Sequence, residues 1–341
     1  MTILAIPSTI NLTIASIYKR RSTMNPYSRR QFLQHSLTSG LALAAVSSTV
    51  THSTFAYPRP DKDAVSLAIW SLVRSFRAGV WKLTDMARIC REDFGIDGIE
   101  YVTSFFEVPV ESYLRQLNRN AETHGVKNVL IMVDDEGDMV AKDKKVRMQA
   151  AVNHRKWIDI AAYLGCHAIR CNARGGGNTP EDDPEALDRA AEAFGALLDY
   201  AKEFQINVVI ENHGGLSSAP HWLPQLMKKV DSPHFGILPD YGNYRPTDEA
   251  DVYRCVELAM PFAKGVSVKA GWNPDGTHPQ YDLEKLLKIS KNADYFGFWG
   301  IESGMRRREQ SASAEEVKND DWQAVRWTKA VIDKVLFGKP E

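Results

Sequence analysis

Cysteine is scarce in this sequence. Its four residues, Cys90, Cys166, Cys171 and Cys255, are spread through 341 positions without a CxxC pair. Cys166 and Cys171 flank one predicted strand, too far apart to bridge if that strand is extended. A disulfide framework or a thiolate metal site needs closer, more regular spacing, so the four read as buried thiols. Long apolar runs are missing too. None reaches the roughly 18 residues that a spanning helix requires, so no membrane insertion is expected of the mature chain. No glycine-rich phosphate turn follows the first apolar run, where the sequence reads "WSLVRSFRAG" from Trp70. That counts against an open, doubly wound nucleotide-binding sheet. Finally, residues 1–56 contain no Asp or Glu at all.

That acid-free stretch holds Lys19, Arg20, Arg21, Arg29 and Arg30, then the weakly apolar "LALAAV" and a "TFA" ending at Ala56. A basic region, an apolar region and small residues before a cleavage point make a signal peptide, with a disordered basic arm as the alternative. Within it "SRRQFLQ", Ser28 to Gln34, resembles the twin-arginine export signal. The expectation is a bacterial protein exported already folded to the periplasm, with Met24 as an alternative start. Removing residues 1–56 leaves one domain, residues 57–341, long enough for a single α/β barrel of typically about 250 residues. Without the leader's basic residues the balance is mildly acidic, which argues against nucleic acid as a partner.

From Tyr57 onward, apolar runs recur about every 30 to 40 residues, with helical patterns between them. They are "VSLAIWSL" from Val65, "GIDGIEYVT" from Gly95, "VKNVLIMVD" from Val126, "HAIRCNA" from His167, "INVVIENH" from Ile206, "FGILPDYGN" from Phe235, "GVSVKAG" from Gly265 and "GFWGIES" from Gly297. In the helical pattern "KVRMQAAVNHRKWIDIAAYLG", Met148, Val152, Ile158, Ala161 and Ala162 suggest the buried face, and Gly165 the cap. Strands alternating with helices imply parallel βαβ units, and eight of them in one domain imply a closed (β/α)₈ TIM barrel. The charged stretch Arg306–Lys318 reads as a solvated loop before a last helix, "DWQAVRWTKAVIDKVLF".

In such a barrel the reactive groups project from the C-terminal strand ends. The charged residues fall there: Glu100 on strand two, Arg170 and Asn172 on four, Glu211 and His213 on five, Asp240 and Asn243 on six, Lys269 on seven and Glu302 on eight. By period-two alternation, if Glu211 faces inward so do Val209 and His213, while Asn212 turns toward a neighbouring strand. Three converging carboxylates raise each other's pKa unless a cation relieves them. A divalent metal held by Glu211, Asp240 and Glu302, with His213 or His278 completing the shell, is one solution. Oxygen-rich ligation points to Mg²⁺ or Mn²⁺, with Co²⁺ or Zn²⁺ as alternatives. Pairing with barrel cations such as Lys269 or Arg170 is the other solution. Asn172, Asn243, Glu100 and the loop residues Trp272 and His278 are candidate substrate contacts, the indole as a face for a sugar ring. "RGGG", Arg174 to Gly177, offers backbone amides or simply a flexible loop. "DDEGD", Asp134 to Asp138, fails as a calcium loop because its twelfth position is Lys145.

The motifs "GIDGIEYV", "YLGCHAIRCN", "VVIENHGG", "PDYGN" and "GIES" stand in the order found in the xylose-isomerase-like barrels, which include sugar-phosphate isomerases and sugar epimerases. The chain resembles that family from about Val65 to Ser303. The resemblance implies one divalent metal bound through Glu, Asp, His and Glu from strands five to eight. Glu211, Asp240 and Glu302 match three of these positions. Ser267 stands where a strand-seven His is typical, two residues before Lys269, and Asn243 stands where many epimerases place a His. The metal would then keep three protein ligands plus water, recruit His213 or His278, or be weak or absent. The implied chemistry is proton transfer next to the carbonyl of a small sugar, free or derivatised. In it Glu211 and Glu302 exchange the proton, Lys269 donates to the oxyanion or pairs with Asp240, and His213 shuttles a proton or ligates. Two further readings are a lyase or deglycosidase acting on keto-glycosides, and a non-catalytic sugar-binding barrel. The DNA-repair endonucleases of this fold use many histidines, which the strand ends here lack. Oligomeric state, a homo-oligomer included, stays open.

Overall fold

The computed structural model describes residues 62–248, 250–306 and 312–339. The predicted leader, residues 1–56, lies outside the described residues.

Eight parallel strands form one sheet: β1 (Ala64–Ala68), β2 (Gly98–Val102), β3 (Lys127–Met132), β4 (Ala168–Cys171), β5 (Asn207–Glu211), β6 (Phe235–Leu238), β7 (Val266–Trp272) and β8 (Phe298–Met305). Their order in the sheet is β6-β5-β4-β3-β2-β1-β8-β7. Parallel bridges between Ile237 and Ala263 and between Asp240 and Ser267 join β6 to β7 and close the ring. The fold is the predicted (β/α)₈ barrel. Each strand is a short β-branched or apolar run, and in β5 every residue from Asn207 to Glu211 is buried. Each fully buried Val or Ile of this kind contributes about 2 kcal/mol through its removal from water.

Helices α1 (Glu111–His124), α2 (Lys144–Leu164), α3 (Ala186–Ala201), α4 (Trp222–Val230), α5 (Val252–Ala259), α6 (Leu283–Asn292) and α7 (Ala314–Phe337) follow the strands in turn. The β1–β2 connection is instead a string of short helical turns between Ile69 and Asp93. Gly165, in the left-handed region at φ 76°, ends α2 as the sequence suggests.

Two sequence expectations need correction. The buried face of α2 runs through Arg147, Ala151, His154, Ile158 and Ala161, at helical i+3 and i+4 steps. Val152 lies about 100° away from that stripe and is exposed. The final helix starts at Ala314, earlier than its apolar pattern indicates, because Ser313 and Glu316 form a capping box that nucleates it in polar sequence. Among the described residues no helix is long and apolar enough to cross a membrane.

Candidate active site

The C-terminal ends of β5 to β8 bring Glu211, Asp240 and Glu302 together, with one carboxylate oxygen of each within 4.8 Å of the others. Asp240 lies two residues past β6, and its position is fixed from both neighbouring strands. The Asn212 amide donates to the Asp240 carbonyl at 2.9 Å and accepts from its N–H at 2.7 Å. Ser267, beside it on β7, donates to Asp240 Oδ2 at 2.8 Å and to Glu302 Oε2 at 3.3 Å. The Gly242 N–H donates to Asp240 Oδ1 at 2.8 Å. Asn243 donates to Glu211 Oε1 at 2.8 Å.

Among the described residues two cations face this acidic group. Lys269 Nζ lies 2.5 Å from Glu302 Oε1 and 3.4 Å from Asp240 Oδ2. Arg170, fully buried on β4, places Nε 2.9 Å from Glu211 Oε2, a contact too poorly aligned for a hydrogen bond. Its Nη1 donates to Asp134 Oδ1 at 2.5 Å. Asp134 also accepts from Asn172 at 2.9 Å. The network of Asp134, Arg170 and Glu211 escapes sequence inspection. The sequence offers Arg170 as a strand-end cation that could pair with one of the carboxylates, without saying which, and Asp134 only as part of a rejected calcium pattern.

Burial sets the protonation of the group, and the cations divide it. Burial pushes Asp240 up to about 7 against the pull of Lys269. Burial likewise raises Glu211, with Arg170 opposing. On Glu302 burial presses upward, but the charge and hydrogen bond of Lys269, joined by Arg170 and His213, together hold the carboxyl below its ordinary value. Burial would depress Lys269, yet Asp240 and Glu302 keep it well above the usual lysine range. Two carboxyls whose pKa values are pushed apart are suited to separate acid and base roles.

His213 lies at the same mouth without joining the carboxylate group. Its Nδ1 is 3.0 Å from Asn172 Oδ1 and 3.0 Å from an Arg174 nitrogen. Burial, followed by the charges of Arg170 and Arg174, lowers its pKa and favours the neutral imidazole. Glu100 sits deeper. It accepts from Ser66 at 2.6 Å, leaves its other oxygen without a hydrogen bond, and packs where a Cβ on Gly300 would stand 2.3 Å from it. Burial raises it to about 7.

Trp272 and His278 are placed elsewhere. The Trp272 indole donates to Thr328 of α7 at 2.9 Å and packs on Trp327, so it belongs to the layer between barrel and helix. His278 packs edge-on against Tyr281 and tilted against Trp272, with Nδ1 3.0 Å from the Gly271 carbonyl. The physical reason is the two-residue period of β7: with Lys269 facing the carboxylates, alternation gives Trp272 the opposite face. The aromatic wall of the mouth is Trp70 instead, just past β1. It lines a cavity of about 650 Å³ together with Val73, Asp134, Arg174, His213, Glu211 and Glu302. Its signal in the sequence is the strand-end rule, hidden because "VSLAIWSL" reads as one strand whereas β1 stops at Ala68.

The donor set fits a divalent cation of the oxygen-preferring class. It offers three carboxylates, two of them fully buried, and an oxygen of Glu211 that makes no hydrogen bond. Ser267 Oγ, a weaker ligand than an imidazole, stands between Asp240 and Glu302.

No curated protein matches the sequence. Among solved structures, D-allulose 3-epimerase from Methylomonas sp. superposes with a TM-score of 0.63 at 15% identity, covering 82% of this chain and all of that one. The 3-keto-D-glucoside 4-epimerase from E. coli gives 0.58 at 14% identity, covering 73% and 94% of the two chains. A probable 3-DHS dehydratase from Bacillus anthracis gives 0.56 at 14% identity, covering 77% and 97%. At such identities the likeness is one of fold. Residues 90–324 match the family model described as Xylose isomerase-like TIM barrel. The chain therefore belongs to the Xylose isomerase-like TIM barrel family.

Proposed function

We propose that this protein is a metal-dependent sugar isomerase or epimerase that moves a proton on the carbon next to a carbonyl. The observation that carries the reading is the convergence of Glu211, Asp240 and Glu302 at the mouth, with Glu211 and Glu302 both lining one cavity. Glu211, Asp240 and Glu302 would hold one divalent cation, Mn²⁺ or Mg²⁺ by ligand chemistry, which when bound polarises the substrate's carbonyl and hydroxyl oxygens. The residues of the chain supply the rest. Glu302, kept ionised by the positive charge beside it, is the base for one face of the substrate carbon. Glu211, raised by burial and steadied by Asn243 and Arg170, carries the proton for the other face. Lys269 donates to the oxygen on which negative charge develops. Neutral His213, oriented by Asn172 and Arg174, exchanges a proton with a substrate hydroxyl. Trp70 and Val73 form the apolar side against which a sugar ring packs.

The substrate class we propose is a free sugar or sugar derivative. The twin-arginine-type leader supports it, because an exported enzyme meets few sugar phosphates. Epimerases of D-allulose and of 3-keto-D-glucoside are among the proteins of this shape, which agrees with the reading. The fold is shared by a dehydratase as well. A lyase acting on keto-glycosides, with the same proton abstraction followed by loss of a leaving group, is therefore the second reading.

The test is incubation of the Mn²⁺-supplemented protein with ketohexoses and 3-keto-glucosides in D₂O, followed by NMR. Deuterium entering the carbon beside the carbonyl with a new epimer or isomer supports the first reading. Release of an aglycone supports the second. No exchange with any ketose or keto-glycoside, in protein shown to hold metal, would count against both.

A further inference from the structure

We propose that Lys269 is the built-in rival of the divalent cation, so that metal binding displaces its ammonium from the carboxylates toward the cavity. This rests on the metal reading above and concerns the regulation of that same site. Lys269 Nζ contacts Glu302 Oε1 at 2.5 Å and Asp240 Oδ2 at 3.4 Å. Both side chains belong to the group of three carboxylates within 4.8 Å. A divalent ion drawing on Asp240 and Glu302 would share them with an ammonium a few ångströms away, and like charges so close in a buried pocket repel.

Of the two cations at the site among the described residues, Lys269 is the one free to yield. Arg170 has 2% of its side chain exposed and is tied to Asp134 as well as Glu211. The Lys269 side chain is 30% exposed. Its backbone is pinned where Tyr281 donates to its carbonyl at 2.6 Å, and its stem passes over Gly242, where a Cβ would meet Cδ at 2.9 Å. The anchor is fixed and the head has a path to water. Asp240 cannot follow it, being wholly buried and held by Asn212, Ser267 and Gly242. Ser267 adds to the effect, since its hydroxyl bonds to both carboxylates but offers the ion no strong fourth ligand. The consequence is an exchangeable metal, and an ammonium released next to the substrate when the metal loads.

The test is titration of the full chain with Mn²⁺, by calorimetry and by the EPR signal of free Mn²⁺, for wild type and Lys269→Met, which keeps the stem over Gly242. The variant is expected to bind Mn²⁺ more tightly by on the order of tenfold, the factor that one charge-assisted hydrogen bond is worth. Equal or weaker binding in the variant overturns the proposal while leaving the metal reading intact. Absence of Mn²⁺ binding in both proteins overturns the two together. A second measurement needs no variant and decides the matter if Lys269→Met does not fold. Acetylation of wild-type lysines is followed by peptide mass spectrometry, with exposed Lys127 as the internal reference. Mn²⁺ should raise labelling of Lys269 relative to Lys127. Unchanged labelling with Mn²⁺ bound overturns the proposal.

Discussion

Asn212 and Asp240 exchange two hydrogen bonds across the ends of β5 and β6, one in each direction, and both residues are fully buried. A side-chain amide thus replaces the ladder where the two strands stop pairing. It fixes the backbone of Asp240 between Glu211 and Ser267. The amide carries a donor and an acceptor side by side, matching the C=O and N–H of Asp240. Asn212→Ala leaves the buried N–H and C=O of Asp240 unsatisfied. The expected loss is about 1–3 kcal/mol of stability, measured by urea denaturation. Activity should fall more than in a surface variant of equal stability. Asn212→Asp should be at least as damaging, since it cannot donate and adds a buried charge.

Glu302→Gln and Glu211→Gln should each leave the fold intact and reduce turnover by about 10²–10⁴, the usual worth of a positioned proton-transfer group. The variants should differ in solvent exchange. One that retains wash-in of deuterium but makes no epimer has lost only the second proton transfer, which identifies that glutamate as the returning acid. Full activity in either variant would sink the two-carboxylate mechanism.

Arg170→Met removes a guanidinium that faces Glu211 and Asp134 from inside the barrel. Breaking a buried pair leaves uncompensated charge, at a cost of about 3–5 kcal/mol. Thermal denaturation should show the loss, and Arg170→Met/Asp134→Asn should recover part of it. A double variant no more stable than the single one would mean that Asp134 is not an essential counter-charge.

Glu100 links stability to pH. Its folded value, about 7, lies above the ordinary 4.5 because burial penalises the charged form. Below pH 4.5 both folded and unfolded states hold the proton. Between 4.5 and about 7 the unfolded state releases it first, so stability falls as pH rises, and above that range the loss is constant. At about 1.4 kcal/mol per pKa unit the full effect is on the order of 3 kcal/mol. Glu100→Gln removes the titration, so its melting temperature should rise relative to wild type between pH 5 and pH 8. A constant difference across that range would show that Glu100 is not the group responsible.

The sequence was legible at the level of strands because each is an apolar run of four to eight residues ended by polar ones. Even "INVVIENHGG" divides where β5 ends, at Glu211. Once Glu211 faces inward, period-two alternation is enough to turn Asn212 sideways. It was less useful in the loop after β7. There, the apolar run ending at Gly271 leaves Trp272 in a loop as a sugar platform, whereas β7 continues through it and carries the indole toward α7. The buried face of α2 shows a similar limit. Small residues such as Ala151 and polar ones such as His154 occupy the stripe, whereas hydrophobicity alone drew attention to Val152.

What the sequence by itself determined is the repeat of eight βα units and the set of polar residues at the strand ends, because both follow from local periodicity along the chain. The tertiary structure decided which of those residues meet. Closure of β6 onto β7 brings Asp240 beside Ser267, and the β7–β8 register sets Lys269 against Glu302. Between adjacent strands, Arg170 on β4 reaches both Glu211 at the end of β5 and Asp134 in the loop beyond β3. Such contacts depend on strand order, shear and side-chain reach. No local pattern encodes those quantities, because they arise only when residues far apart in sequence share one enclosed, low-dielectric space.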